Sequence, residues 1–505
     1  MTVHRIMGIE TEYGITVPGA RVMNAMATCT RLVNAYARNE IQGRQRNTKW
    51  DYAEESPLKD ARGFDMSRAE ADPSQLTDDD MTMANVILTN GARFYVDHAH
   101  PEYSSPEVTG PRAAALWDRA GMMVMSRAAS YTTTDGVDLP VVLYKNNTDN
   151  KGASYGTHEN YLMDRATPFE SIVAWMTPFF ISRQIFTGAG RLGVGQEAKK
   201  FDYQLSQRAD FFEAEVGLET TFRRPIINTR DEPHCDAERF RRLHVIVGDA
   251  NMSDTATYLK MGTTALVLSM LESGFLSGKD LTVAEPIRSM YAVSHDVSLQ
   301  QRVTLSGDRH WTAIEMQREL WEWAALFCEA EYGADIDSET RDVLELWGSV
   351  LDRLDDDPMD CADVLDWVAK LRLLEAYRSR DGLDWSSPAL QAIDLQYSDI
   401  RADRGLSQKL EHRGQLLRMF NDEEIEFARM NPPSDTRAYF RGECLRKFPE
   451  SIVAASWDSL VFDLPDRETL TRVPTLEPTR GTQALVAGLL NQANTAQELI
   501  ALLSA

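Results

Sequence analysis

The 505-residue chain lacks the marks of several common protein classes. Its five cysteines (Cys29, Cys235, Cys328, Cys361, Cys444) are scattered, without a C-x-x-C pair or an even framework. That argues against disulfides and structural zinc, and for a reducing compartment. The longest strongly apolar run, TALVLSML at 264–271, falls far short of a membrane span. The opening MTVHRIMGIETEYG has no apolar h-region, so no secretory signal and a cytoplasmic location are expected. Basic residues are the minority charge, 53 Lys and Arg against 77 Asp and Glu, a net charge of −24. This balance argues against general nucleic-acid binding and against an anionic membrane surface. GFLSGKD at 274–280 lacks the spacing of a P-loop, and G-x-S-x-G is missing. GAGRLG at 188–193 fits G-x-G-x-x-G, but no strand–turn–helix surrounds it, so a flexible loop is expected there.

What is present is ordinary globular material, 43% hydrophobic and 26% charged. At ~150 residues per domain the length suits about three domains, or one large domain with an appendage. Strand-like runs come at 5–17, 92–103, 140–147, 156–163 and 240–249. Long amphipathic helical patterns such as HWTAIEMQRELWEWAALFCEAEYG follow them, which indicates an α+β fold rather than a doubly wound sheet. Residues 39–80 break the pattern, being polar and charge-rich and closing on Asp78, Asp79 and Asp80; they read as a mobile insertion. MNPPSDTRAYF at 430–440 marks a boundary between a unit over 1–430 and a small C-terminal unit over 431–505.

The chemistry concentrates on two strands. Alternation puts Glu10 and Glu12 on one face of the first, and Arg93, Tyr95 and Asp97 on one face of the second, with Glu102 just beyond. If these strands lie side by side, several carboxylates converge. They cannot all stay ionised unless a cation offsets them or one pKa rises. Oxygen ligands of this kind favour Mg²⁺ or Mn²⁺ together with phosphate oxygens, the alternative being a solvated acidic rim. His158, and His244 with Arg242 on its face, sit in strand-like runs beside polar groups, a pattern that serves metal or phosphate sites and also ordinary cores. Residue pattern alone leads to a metal-dependent, nucleotide-using α+β enzyme.

Five ordered stretches go further: MGIETEYGI, YVDHAHPEYSSPE, YGTHENYL, RLHVIVGDANMSD and TRAYFRGECLRKFPESIVAASWDSLVFD. Together they resemble the Pup ligase/depupylase family, from about residue 5 to past 460. The resemblance implies a large glutamine-synthetase-like (carboxylate–amine ligase) domain, with a mainly antiparallel sheet packed by helices and a small C-terminal domain. It implies ATP and Mg²⁺ as cofactors, Pup and pupylated proteins as partners, and a monomer. Glu10, Tyr95 and Glu102 match the family's Mg²⁺ positions, and Asp97 matches its catalytic aspartate. Arg93, Ser105 and Trp457 match nucleotide contacts. His158 and His244 are taken as further metal ligands and Arg242 as a further nucleotide contact. Three features resemble the depupylase branch: the insertion, ETEYGI in place of ETEFGV, and the spacing of Asp97 to Glu102. That branch hydrolyses Pup–lysine isopeptide bonds and deamidates a C-terminal Gln of Pup; the alternative is the Pup–protein ligase. An acidic Pup needs a local basic groove, for which Arg223, Arg224, Arg239, Arg241, Arg437, Arg441, Arg446 and Lys447 are the candidates.

Overall fold

A computed structural model describes residues 2–41, 48–53, 55–67, 84–134, 139–149, 153–194, 201–221 and 223–504. Its centre is a six-stranded sheet in the order Phe240–Val245, Thr157–Asp164, Met7–Glu12, His100–Ser104, Arg93–Asp97, Asn85–Ile87. Every neighbouring pair is antiparallel. The period of two seen in the sequence sorts the two faces. Ile9, Phe94, Val96, Tyr103, Tyr161 and Leu243 point backward and are almost fully buried. Glu10, Tyr95, Asp97, His158 and Arg242 point forward and are only partly covered. The apolar backs pack on helices Ala25–Glu40, Pro111–Thr134 and Asp254–Glu272, which is why the sheet is rigid where the site is built.

The back layer is also tied by charge. Arg183 and Glu159, at 1% and 0% exposure, pair at 2.6 Å beneath the sheet, and Arg183 also donates to the Val247 carbonyl. Buried pairs of this kind fix geometry more than they add stability, because desolvation offsets much of the attraction.

The segment Gly188–Gly193 is not the flexible loop that its composition suggests. Gly188, Ala189 and Gly190 are buried, with Ala189 N–H donating to Asp249 and Gly190 N–H to the Leu205 carbonyl. A Cβ on Gly188 would stand 2.3 Å from the Leu205 carbonyl oxygen, and Gly190 has φ +69°. The glycines serve close packing and a left-handed turn.

Beyond Ala438 a third core forms around Phe440, Phe448, Leu460 and Phe462, with Ile452–Ala455, Ser459–Phe462 and Thr471–Pro474 as its strands. A fourth strand, Lys49–Trp50, joins this sheet in parallel to Ile452–Ala455. It comes from the polar segment 39–80, of which residues 42–47, 54 and 68–80 lie outside the described residues. The described part also holds the short hairpin Lys59–Asp60/Phe64–Asp65, tied by Asp60 Oδ2 accepting from Thr229 at 2.7 Å.

Candidate active site

The two acidic strands do not touch each other; His100–Ser104 lies between them. Register places Glu12 opposite Glu102 and Glu102 opposite Tyr95, a row of polar groups running straight across three strands. One register step along, Glu10 faces His158 on one side and Ser104 on the other, and Ser104 faces Arg93. Asp97 ends its strand opposite His100, and the two are joined by His98 and Ala99 at φ +41° and +70°. This is a two-residue hairpin turn in the left-handed region without glycine. Such strain persists only where the surroundings enforce it. Here Cys29 Sγ donates to the Ala99 carbonyl at 3.3 Å, and His98 Nδ1 lies 2.8 Å from Asp97 Oδ2.

These side chains face a cleft open to solvent, walled by the sheet, by Tyr52, Glu55 and Pro57, by Leu218 and Thr220, by Arg230, Glu232 and His234, and by Trp457. Glu10, Arg93, Tyr95, Asp97, Glu102, His158, Arg242, His244 and Trp457 all line it, so nine of the ten residues singled out from the sequence meet in one place. Ser105 does not. Its hydroxyl accepts from Ile9 N–H at 3.0 Å and donates to the Pro106 carbonyl, and it borders an adjoining apolar hollow shared with Trp457 and Arg242.

Two donor clusters stand out. In one, Glu12, Asp97 and Glu102 offer carboxylate oxygens all within 4.8 Å of one another. Burial, together with Asp97, Glu12 and Glu10, drives the Glu102 carboxyl well above the usual carboxylate range. Burial pushes the Glu12 carboxyl up as well, yet His100, with Nδ1 3.3 Å from Oε2, and His158 outweigh it and hold Glu12 down at about 2. A group that must keep a proton because its neighbours are anionic is a group that a divalent cation would discharge instead. The oxygen set therefore fits a hard cation.

In the second cluster Glu10, His158 and His244 bring their donor atoms within 4.8 Å. Asn160 arranges it: its amide nitrogen donates to Glu10 at 3.0 Å, while its oxygen accepts from Arg242 at 2.8 Å. That oxygen lies 3.0 Å from His244 Nδ1, so Nδ1 carries the proton and Nε2 keeps its lone pair. Burial, with Arg242 and His158 adding repulsion, holds His244 well below its ordinary value and so neutral, the state a metal ligand requires. Burial opposes ionisation of Glu10, but His158, His244 and Arg242 more than reverse it, and the carboxylate is held far down.

Sequence reasoning did not assign Glu12 to a ligand set, although alternation had placed it on the Glu10 face. It also left out Tyr52 and Glu55, inside the polar segment, and Arg230, Glu232 and His234 from RDEPHC. The dense charge of that hexapeptide was the available signal.

The basic groove loses its buried candidates. Arg437 and Arg441 are 5% and 3% exposed and both grip the buried Glu107. Arg241 is buried on the Thr167 carbonyl, and Arg224 donates to the Thr220 and Ser154 carbonyls. Arg239 pairs with Glu477, Arg446 with Glu443, and Lys447 donates to the Leu490 carbonyl. A lone basic residue in a sequence does not announce its partner, and here seven of the eight have one.

An antiparallel sheet lined with hard-oxygen and imidazole donors and facing an open cleft is the arrangement of an enzyme site able to hold a divalent cation. The chain belongs to the Pup-ligase family, whose profile (Pup-ligase protein) matches residues 5–461. It is 58% identical over 501 residues to the Depupylase of Acidothermus cellulolyticus, covering 99% of both chains. It is 52% identical over 504 residues to the Pup deamidase/depupylase of Mycobacterium tuberculosis, again covering 99% of both. Among solved structures, the complex between Pup and its ligase PafA matches with TM-score 0.80 at 30% identity, over 97% of this chain and 92% of that one. PafA in complex with ADP matches with TM-score 0.73 at 34% identity, over 81% and 89%. The fold is therefore the glutamine-synthetase-like α+β fold expected.

Proposed function

We propose that this protein is a depupylase and Pup deamidase. It hydrolyses the isopeptide bond between the side chain of Pup's C-terminal Glu and a substrate lysine, and converts a C-terminal Gln of Pup to Glu. The observation that carries this reading is the Asp97 carboxylate, held at a strained hairpin tip beside the acidic cluster, in a chain whose full-length relatives bear the depupylase name. The insertion, ETEYGI and the Asp97–Glu102 spacing support this branch over the ligase.

Asp97 is the reacting group. It attacks the carbonyl carbon, the departing nitrogen taking a proton from water as the C–N bond breaks and leaving an anhydride that a second water opens. Alternatively, it takes the proton of a water that attacks in its place and passes it to the departing nitrogen. Both routes end in a Pup carboxylate, with a free lysine amine released in depupylation and ammonia in deamidation. Glu10, Tyr95, Glu102, His158 and His244 would hold Mg²⁺, with Glu12 an added oxygen donor. Arg93, Ser105, Trp457 and Arg242 would hold ATP. When bound, the ion would supply positive charge near the phosphate oxygens of the nucleotide and near the oxygen on which negative charge develops. Hydrolysis runs downhill, so ATP is needed as a bound organiser without stoichiometric turnover. Residues 431–505 form the small domain that places Trp457 over the cleft. The enzyme acts as a monomer in the cytoplasm.

The test is incubation of the purified protein with a Pup–protein conjugate, Mg²⁺ and ATP, followed by mass spectrometry. Free target and Pup ending in Glu are expected. Joining of Pup to free target, with no cleavage of the conjugate, would make the protein a ligase.

A further inference from the structure

Arg93 is held between aromatic rings from its own sheet and from outside it. Its guanidinium carbon lies 4.1 Å from the centre of the Trp50 ring and 3.8 Å from that of Tyr95. Its Nε donates to Asn85 Oδ1 at 3.2 Å, and an Nη donates to the Tyr52 hydroxyl at 3.3 Å. Tyr95 and Asn85 belong to the catalytic sheet, whereas Trp50 and Tyr52 come from the polar segment 39–80. That segment is itself pinned. Trp50 Nε1 donates to Glu55 at 2.6 Å, Asp51 N–H donates to the Ala455 carbonyl at 2.9 Å, and Asp51 pairs with Arg472. Trp50 also meets Trp457 edge to face at 5.1 Å.

We infer that Trp50 and Tyr52 are positioning residues for nucleotide binding: they clamp the Arg93 guanidinium so that its remaining N–H groups meet phosphate oxygens in a fixed plane. The inference rests on the reading of Arg93 as a nucleotide contact. An arginine held between two rings keeps its charge, because a ring face attracts the cation without neutralising it as a carboxylate would. Its long side chain would otherwise sample many rotamers, and each would have to be given up on binding. The described part of the insertion is thus a wall of the nucleotide site as well as a strand of the C-terminal sheet. A rival role exists for Trp50, since it also fills the core with Phe440 and Phe448.

Calorimetric titration with Mg²⁺–ATP separates the two. Trp50→Ala is expected to weaken nucleotide binding about tenfold, and Trp50→Phe to retain most of it. In an Arg93→Ala background, Trp50→Ala should change binding less than about twofold, because the group it positions is gone. Tyr52→Phe, which removes only the hydroxyl, should weaken binding about threefold with an unchanged melting temperature. Equal losses from Trp50→Ala with and without Arg93, or full binding by Tyr52→Phe, would overturn the clamp. If Arg93→Ala alone left ATP binding intact, the nucleotide reading of Arg93 would fall first and the clamp with it.

Discussion

Replacing Arg441 with alanine should damage stability and not substrate affinity. Glu107 sits between Arg437 and Arg441, its carboxylate accepting from Arg437 Nε at 2.6 Å and from two nitrogens of Arg441. Burial by itself would raise this carboxyl, but the two guanidinium groups bring it from 4.5 to about 2. A folded-state value below the unfolded one contributes stability that is fully present above pH 4.5 and is lost as pH falls toward 2. The drop to about 2 corresponds to roughly 3 kcal/mol. Removing one partner of a buried pair typically costs about 3–5 kcal/mol. Arg441 also donates to the Gly91 and Trp457 carbonyls, which joins the strand turn before Arg93 to the C-terminal sheet. Because Arg437 remains on Glu107, Arg441→Ala is expected at the lower end, about 3 kcal/mol. Urea unfolding at pH 7 measures it. A scan between pH 4.5 and 2 should show a shallower loss in Glu107→Gln than in the parent. KM for a Pup conjugate, measured well below the melting temperature, should stay within about twofold. A destabilisation under about 1 kcal/mol together with a raised KM would refute the structural assignment and restore these arginines to a binding groove.

The turn at His98 and Ala99 invites a gain in stability. Ala99→Gly relieves φ +70° and should raise the unfolding free energy by about 0.5–1 kcal/mol in the same urea assay. Glu102→Gln removes the central carboxylate charge of the acidic row; Mn²⁺ binding, followed by paramagnetic resonance, should weaken at least about tenfold while the melting temperature stays level or rises. Asn160→Ala frees both Glu10 and His244 from their shared amide, and should cost about 10- to 100-fold in metal affinity by the same measurement.

The faces of the strands were legible in the sequence because alternation is a local property. Glu10 with Glu12, and Arg93 with Tyr95 and Asp97, needed only a period of two. Their meeting was not legible. Glu10 finds His158 148 residues away, and the stretch after Asp97 turns back to put Glu102 between the acidic strands rather than beyond them. His158 and His244 were singled out from the motifs, but the Asn160 amide that bridges Glu10 and His244 follows only from register. Basic residues misled for the same reason: Arg441 looks solvated until Glu107, 334 positions earlier, is seen beside it. Gly188–Gly193 misled through composition, since glycine marks close packing as readily as freedom.

Asp97 carries the central chemistry of the proposed reaction. A purified Pup–protein conjugate should be cleaved with Mg²⁺ and a slowly hydrolysed ATP analogue as well as with ATP. Asp97→Asn should lose at least about 100-fold of that cleavage while still binding the nucleotide. Cleavage by Asp97→Asn at the parent rate, or cleavage only in step with ATP consumption, would contradict it.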